Sequence, residues 1–236
     1  MSRLFTAASS EYIRTRPGPL LESTTFGPST AAFVFRRASD AGWHTLMTFC
    51  TSGGTQRTSW SMRGDNNQFQ MYDNASATAT ATTSSTFLNA DGWIVIAVTK
   101  AAGTVQPTAH YLKLAAGGAW THETMSVAMP DGSSIGSGGF IELGRWSTGG
   151  DYHNGDMAAA AFWPREMSNG ECERLAAGLW DRWSPAFHVE FPGSEPPAFA
   201  RDLGRAGAAL VTVSGTSRTA AAKPPGFRYS LGGRRR

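Results

Sequence analysis

The segment "DYHNGDMAAAAFWPREMSNGECERLAAG" (151–178) places a histidine, several acids and a cysteine close together. These residue types serve enzymes as general acids, general bases and nucleophiles. Their spacing favours a structural interpretation instead. Ser168 and Glu171 have the S-x-x-E spacing of a capping box, which predicts a short helix over 169–177, and Gly178 follows as its C-terminal cap. We therefore interpret Glu171 as a helix cap rather than as an acid catalyst.

The predicted strands carry no pair of acids suited to sugar hydrolysis. A retaining glycosidase needs two carboxyl groups about 5–5.5 Å apart, which on a strand means acids two residues apart. Glu142 stands alone between apolar neighbours, and Glu171 and Glu173 point in different directions on a helix. We expect no enzymatic activity, and a polysaccharide-degrading enzyme is the least favoured alternative.

Metal-ligand spacing is also missing. The two cysteines, Cys50 and Cys172, are far apart and are expected to be free thiols. The histidines contain no H-x-H or H-x₃-H pair: His44, His110, His122, His153 and His188. No D-x-D loop is present, although four loop acids could contribute to a Ca²⁺ site: Asp65, Asp73, Asp131 and Asp151. We predict no cofactor, with Ca²⁺ as the alternative.

The segment "GRWSTGGDYHNGD" (144–156) is the best candidate for a ligand surface. Trp146, Tyr152 and His153 could stack on sugar rings, and the side chains of Asp151 and Asn154 could form hydrogen bonds with sugar hydroxyls. Loops at one end of a sandwich commonly carry such sites. The alternative is that Trp146 and Tyr152 only close the mouth of the sandwich.

Strand-like segments separated by Gly- and Asp-rich turns fill residues 1–165. They are AAFVFRR (31–37), WHTLMTFCTS (43–52), NNQFQMYDN (66–74), GWIVIAVTK (92–100), AHYLKL (109–114), GGFIELGR (138–145) and DMAAAAFWP (156–164). This spacing predicts an all-β fold with two antiparallel sheets packed as a sandwich. GWIVIAVTK is apolar on both faces, which predicts a central strand covered on each side. The four alanines of 158–161 predict a strand crowded on both faces, with Met157, Ala159, Ala161 and Trp163 sharing one of them.

The C-terminal segment differs from the rest in charge. Residues 201–236 contain eight basic residues and one acidic residue, whereas residues 1–200 contain 13 basic and 17 acidic residues. We predict an extended basic arm over 192–236, with one strand at Leu210 to Val213, that docks on an acidic protein partner. Nucleic acid is an unfavoured partner. The candidate anchor residues are Phe227, Arg228, Tyr229, Arg234, Arg235 and Arg236.

Several motifs resemble, in order and spacing, those of the laminin G-like, concanavalin A-like jelly rolls. The resemblance covers about residues 3–190 and implies one sandwich domain over 1–191. The opening "TAASSE" lacks the Gly-x-Asp-Asp usual in that family. The matching residues are Ile141, Leu143, Gly144 and Arg145, then His153, Gly155, Met157 and Ala158, and finally Arg165, Met167, Ser168 and Glu171.

The ending "PPGFRYS" on such a body resembles virion proteins of tailed bacteriophages that infect high-GC bacteria. This resemblance implies a structural protein of a phage particle, on the capsid as a decoration or on the tail, held by its arm to other virion proteins. It would be present in several copies or as a homo-oligomer. With no signal peptide or membrane span in the sequence, we expect synthesis in the host cytoplasm. The alternative function is a glycan-binding module that mediates attachment to a host cell surface.

Overall fold

The computed structural model describes residues 2–5, 12–15, 22, 27–73, 79–115, 117–132, 134–146, 150–177, 185–190, 201–202, 211–214 and 220–221. The strands are β1 (Ser2–Phe5), β2 (Tyr12–Thr15), β3 (Ser29–Arg37), β4 (His44–Cys50), β5 (Gln56–Met62), β6 (Gln68–Asp73), β7 (Ala79–Thr86), β8 (Ile94–Lys100), β9 (Thr108–Lys113), β10 (Thr121–Thr124), β11 (Phe140–Leu143), β12 (Gly155–Trp163), β13 (Phe187–Glu190), β14 (Arg201–Asp202), β15 (Val211–Ser214) and β16 (Ala220–Ala221). Helix α1 (Asn169–Arg174) continues into a 3-10 turn at Leu175–Ala177, and a second 3-10 turn lies at Asn89–Asp91. No helix in these ranges is long and apolar enough to cross a membrane.

The strands pair antiparallel in two sheets, which confirms the predicted all-β sandwich. One sheet has nine strands in the order β10-β9-β8-β3-β12-β1-β16, with β13 also on β12 and β14 on β13. The other has seven strands in the order β15-β2-β11-β4-β5-β6-β7. The predicted strand of the C-terminal arm is β15, but β14 and β16 also form, so the arm contributes strands to both sheets. The domain boundary at residue 191 stays a prediction.

The strand β8 is buried on both faces, as its sequence predicts. Ile94, Ile96 and Val98 face the core between the sheets, while Val95 and Ala97 belong to a second apolar cluster on the outer side of the nine-stranded sheet. The segment around α1 covers that outer cluster. One outward sheet face is therefore closed by the chain itself.

The alanine-rich strand β12 is crowded on both sides, but its predicted division into two faces is wrong. A bulge between Met157 and Ala159 interrupts the register with β3. Because a bulge adds one residue to one strand, the alternation of side chains changes phase there. Met157 faces the inner core, whereas Ala159, Ala161 and Trp163 face the outer cluster.

Helix α1 begins as the capping box predicted. The Glu171 carboxylate accepts hydrogen bonds from the Ser168 backbone N–H and hydroxyl, at 2.9 and 3.0 Å. Arg165 also pairs with Glu171, and this hydrogen bond, followed by those from Ser168, holds the pKa of the carboxyl at about 2. The Glu171 carboxylate is thus occupied by the helix cap and by Arg165. Cys172 on this helix and Cys50 on β4 are both buried and form no disulfide, as expected.

Four of the five histidines are buried, namely His44, His110, His153 and His188. His153 packs edge-on against His44, with ring centroids 5.7 Å apart. His110 bonds Thr99 through Nε2 and His122 through Nδ1, and His122 in turn bonds Glu173 of α1. Burial is the main cause that lowers the pKa of His44 and His110 to about 4 and that of His153 to about 3.

Acidification from about pH 6.5 toward pH 4 should lower the free energy of unfolding. In this window the unfolded imidazoles take up protons near their ordinary pKa of about 6.5, while the folded ones stay neutral, so the unfolded state binds more protons. The contribution of these histidines to the free energy of unfolding is therefore fully present above pH 6.5 and decreases as the pH falls toward 4. Urea unfolding at a series of pH values measures the slope.

The variant His153→Asn is the control for this dependence. It removes one titrating group from the core, so the slope of unfolding free energy against pH should become shallower, although the overall stability is lower at every pH. An unchanged slope would show that the buried histidines do not cause the acid sensitivity.

Candidate ligand-binding site

A row of polar residues crosses the outward face of the seven-stranded sheet. Because successive side chains of a strand point to opposite faces, residues that alternate with core residues such as Trp60 and Met71 lie on this outer side. The register aligns one such residue on each strand from β2 to β7, namely Arg14, Glu142, Thr48, Ser59, Tyr72 and Thr80. This row therefore consists of hydroxyl-bearing and charged side chains.

Glu142 is the electrostatic centre of this row. Its side chain is completely buried and accepts hydrogen bonds from Arg14 Nε at 2.9 Å and from Arg145 Nε at 3.0 Å. Burial opposes the charge of Arg145, but Glu142, together with Tyr12 and Tyr152, outweighs this effect and raises the pKa of the guanidinium. Arg145 also lies over the Tyr12 ring, 3.8 Å from its centroid. A buried carboxylate thus connects strand β2 to the turn after β11.

The chain reverses direction after β11 and brings two residues over the sheet. Arg145 and Tyr152 pair as an antiparallel bridge, and the Trp146 N–H donates to the Asp151 backbone oxygen at 3.1 Å. The Thr48 hydroxyl anchors this turn by donating to the Arg145 carbonyl at 2.9 Å. Trp146 then packs against Tyr72 of β6, with ring centroids 5.2 Å apart and planes at 49°.

A second wall comes from the turns beside β4 and β5. Trp43 is 37% exposed, and the Arg63 guanidinium lies 5.6 Å from its ring centroid. Arg63 also donates from Nε to Asp65 at 2.9 Å, so the two charged side chains of the "RGD" tripeptide pair with each other. A Cβ atom at Gly64 would lie 2.7 Å from the Gly42 backbone, which shows how tightly the two turns meet.

These parts enclose a cavity of about 470 Å³. Its lining consists of Trp43, Arg63, Gln70, Tyr72, Thr80, Trp146 and Asp151. The Asp151 carboxyl is partly buried, and this burial raises its pKa. Within the described part of the chain, no side chain or backbone group donates a hydrogen bond to that carboxylate. The carboxylate is therefore free to accept hydrogen bonds from a molecule that enters the cavity, which makes it a candidate ligand contact.

Two of the five predicted surface residues line the cavity, namely Trp146 and Asp151. Tyr152 is not part of the lining, and its side chain forms a hydrogen bond with Arg145. The prediction that His153 stacks on a ligand is wrong, because its ring is completely buried against Phe5, Phe35 and His44.

Asn154 lies outside the cavity, where its N–H donates to the His44 ring at 3.2 Å. Sequence reasoning missed Trp43 and Tyr72, which supply two of the three aromatic side chains of the lining. A usable signal existed for Tyr72, since it alternates with Phe69 and Met71 on a half-buried strand. No local pattern marks Trp43, because its role depends on contact with Arg63 in a distant turn.

The four acids considered for Ca²⁺ lie in different surroundings. Asp65 pairs with Arg63, and Asp131 accepts from Lys100 at 2.8 Å. Asp73 is buried on β6, and Asp151 faces the cavity. In the described ranges no group of three or more His, Cys, Asp or Glu side chains is arranged to hold a metal ion. The predicted anchor residues of the arm, from Phe227 to Arg236, lie outside the described residues.

No protein-family model matches the chain, and no curated protein sequence matches it either. Solved structures do resemble it. A heptameric SAP-like pentraxin from Limulus polyphemus superposes with a TM-score of 0.50 at 11% identity, over 87% of this chain and 89% of its own. The LG1-3 region of the laminin alpha2 chain superposes with a TM-score of 0.52 at 13% identity, over 71% of this chain and 32% of its own. A "putative carbohydrate binding protein" from Bacteroides ovatus superposes with a TM-score of 0.53 at 15% identity, over 91% of this chain and 59% of its own.

The fold is that of the laminin G-like jelly rolls. This confirms the family resemblance of the sequence at the level of fold. At these identities the likeness shows the fold alone. The phage context inferred from "PPGFRYS" stays a prediction.

Replacing Glu142 by Gln should destabilise the sandwich and loosen the turn that carries Trp146. The substitution leaves two arginines without their shared carboxylate, and breaking a buried ion pair costs about 3 kcal/mol. Urea unfolding measures the loss. The control is Glu173→Gln, which removes a half-exposed carboxylate of helix α1 and should change little. Equal effects of the two variants would contradict the role given to Glu142.

Proposed function

We propose that this protein is a non-enzymatic carbohydrate-binding module, with its site in the cavity between Trp43, Tyr72 and Trp146. The observation that carries the proposal is the partly buried Asp151 carboxylate, which faces this cavity without a donor among the described residues. A ligand rich in hydroxyl groups supplies such donors. No other site described above combines an open acceptor with aromatic walls.

The chemistry of the lining fits a sugar. Tyr72 and Trp146 offer two tilted ring faces against which the C–H faces of a pyranose can pack. Gln70 and Thr80 add amide and hydroxyl groups on the floor. Ligand sites are generally built this way, from apolar walls and a few placed polar groups that fix orientation.

The resemblance to known structures supports this choice. The Bacteroides ovatus protein of similar fold is named for carbohydrate binding. Its identity with this chain is 15%, so its name motivates the proposal but does not transfer residue by residue.

The proposal contains no catalytic step and no metal. The cavity lining holds one carboxylate, Asp151, whereas glycoside hydrolysis uses two. Binding through Asp151, Tyr72 and Trp146 also needs no Ca²⁺, so chelation should leave it unchanged.

The role as a structural component of a phage particle stays a prediction. It rests on the basic arm, and the anchor residues of that arm are outside the described ranges. The two roles are compatible, because a multi-copy surface protein can display a binding module.

Trp146→Ala and Tyr72→Ala should each weaken glycan binding by at least about tenfold, because buried aromatic anchors carry most of the energy at such contacts. A glycan array identifies the ligand, and isothermal titration calorimetry then measures the affinities. Trp120→Ala is the matched control, since this side chain packs on the outer cluster of the opposite sheet. Unchanged binding by Trp146→Ala would remove this site, and no binding to any glycan at millimolar concentration would remove the function.

A further inference from the structure

The charges around the cavity do not cancel. Arg63 is the basic residue of the lining, and its guanidinium is already paired in a two-pronged contact with the Asp65 carboxylate. This pairing holds the pKa of Asp65 below its ordinary value, so Asp65 stays charged and neutralises Arg63. The Asp151 carboxylate has no such cation among the described residues. The cavity therefore has one negative charge that its own lining leaves uncompensated.

The aromatic walls favour the same sign of ligand charge. The faces of Tyr and Trp rings carry negative quadrupole potential and attract ammonium groups, by about 0.5–2 kcal/mol depending on solvent exposure. Tyr72 and Trp146 present their rings at 49° to each other, beside Asp151. Two ring faces together with a carboxylate form a site that suits a protonated amine better than a neutral hydroxyl.

We infer that the cavity selects saccharides with a free, protonated amino group over their N-acetylated or acidic counterparts. This inference rests on the proposed carbohydrate-binding function and specifies its ligand class. Asp151 pairs with the ammonium group, and Tyr72 and Trp146 pack on the same sugar unit. Acetylation removes the positive charge and its hydrogen bonds to the carboxylate. An acidic sugar would meet the Asp151 charge at close range, while Arg63 is already engaged by Asp65.

General attraction acts on a cationic oligosaccharide independently of Asp151. Residues 1–200 carry 17 acidic and 13 basic residues, so this part of the chain attracts such a ligand over its whole surface. The preference that belongs to the cavity is the part that is lost in Asp151→Asn and kept in Glu173→Gln, because the two variants change the net charge equally. It should weaken as salt is added, because partly exposed charges are screened.

The test compares two oligosaccharides of equal length, a glucosamine hexamer and an N-acetylglucosamine hexamer, by titration calorimetry near neutral pH with the full chain. We expect the glucosamine hexamer to bind about tenfold more tightly, and the Asp151→Asn variant to bind both equally. Asp65→Asn should also reduce the preference, because it releases the Arg63 charge beside the cavity. Glu173→Gln is the control, since it removes a surface acid of helix α1, away from the cavity, and should leave the preference intact.

The outcomes separate the two claims. Equal or tighter binding of the N-acetylated hexamer by the unmodified chain would overturn the inference while leaving carbohydrate binding in place. A preference that survives in Asp151→Asn, with an unchanged thermal unfolding profile, would also overturn it. Failure to bind these hexamers or any glycan of an array would overturn the proposed function itself.

Discussion

The arrangement of the proposed ligand-binding face depends on one buried carboxylate. Glu142 lies on the outward side of its sheet yet is completely shielded from water, so its charge must be compensated within the protein. Arg14 from the neighbouring strand β2 and Arg145 from the turn after β11 provide that compensation. Arg145 is held against Glu142, and the next residue, Trp146, points away from Glu142 and packs on Tyr72. Asp151, across the turn from Trp146, lines the same cavity. The shape of the cavity thus depends on an ion-pair network as well as on the conformation of the turn.

The two sheets have different outward faces, and this difference is the reason that the proposed site lies on the seven-stranded sheet. The outer side of the nine-stranded sheet is apolar around β3, β8 and β12, and the segment of α1 covers it. The seven-stranded sheet instead carries a polar row from β2 to β7, and its outer side keeps a cavity at the β6 and β7 end. Glu171 is a residue type that could act in acid catalysis, but its hydrogen bonds with Ser168 cap the helix that covers this face.

Specific contacts also cover the edges of the two sheets. Exposed strand edges invite pairing with other chains, and proteins usually protect them. On one side Glu123 of β10 accepts hydrogen bonds from backbone N–H groups of β7, at Ser84 and Ser85, and so joins the two sheets. On the other side the short strands β15 and β16 extend β2 and β1. The C-terminal segment is therefore part of both sheets in its described strands, whatever its remaining residues bind.

The sequence by itself determined the features that depend on local periodicity. Alternating and doubly apolar segments identified β3, β4, β6, β8, β9, β11 and β12 and the buried position of β8, but not β5 or β7. The S-x-x-E spacing identified the cap of α1, and Trp146 and Asp151 were recognised as ligand candidates. Tertiary structure decided the rest. The bulge in β12 changed which alanines face the core, the packing of Phe5 and Phe35 buried His153, and strand order brought Trp43, Tyr72 and Trp146 together from positions far apart in the chain. Alternation is a property of a single strand, whereas a binding cavity depends on which strands and turns become neighbours, and that is determined by burial and charge compensation across the whole sandwich.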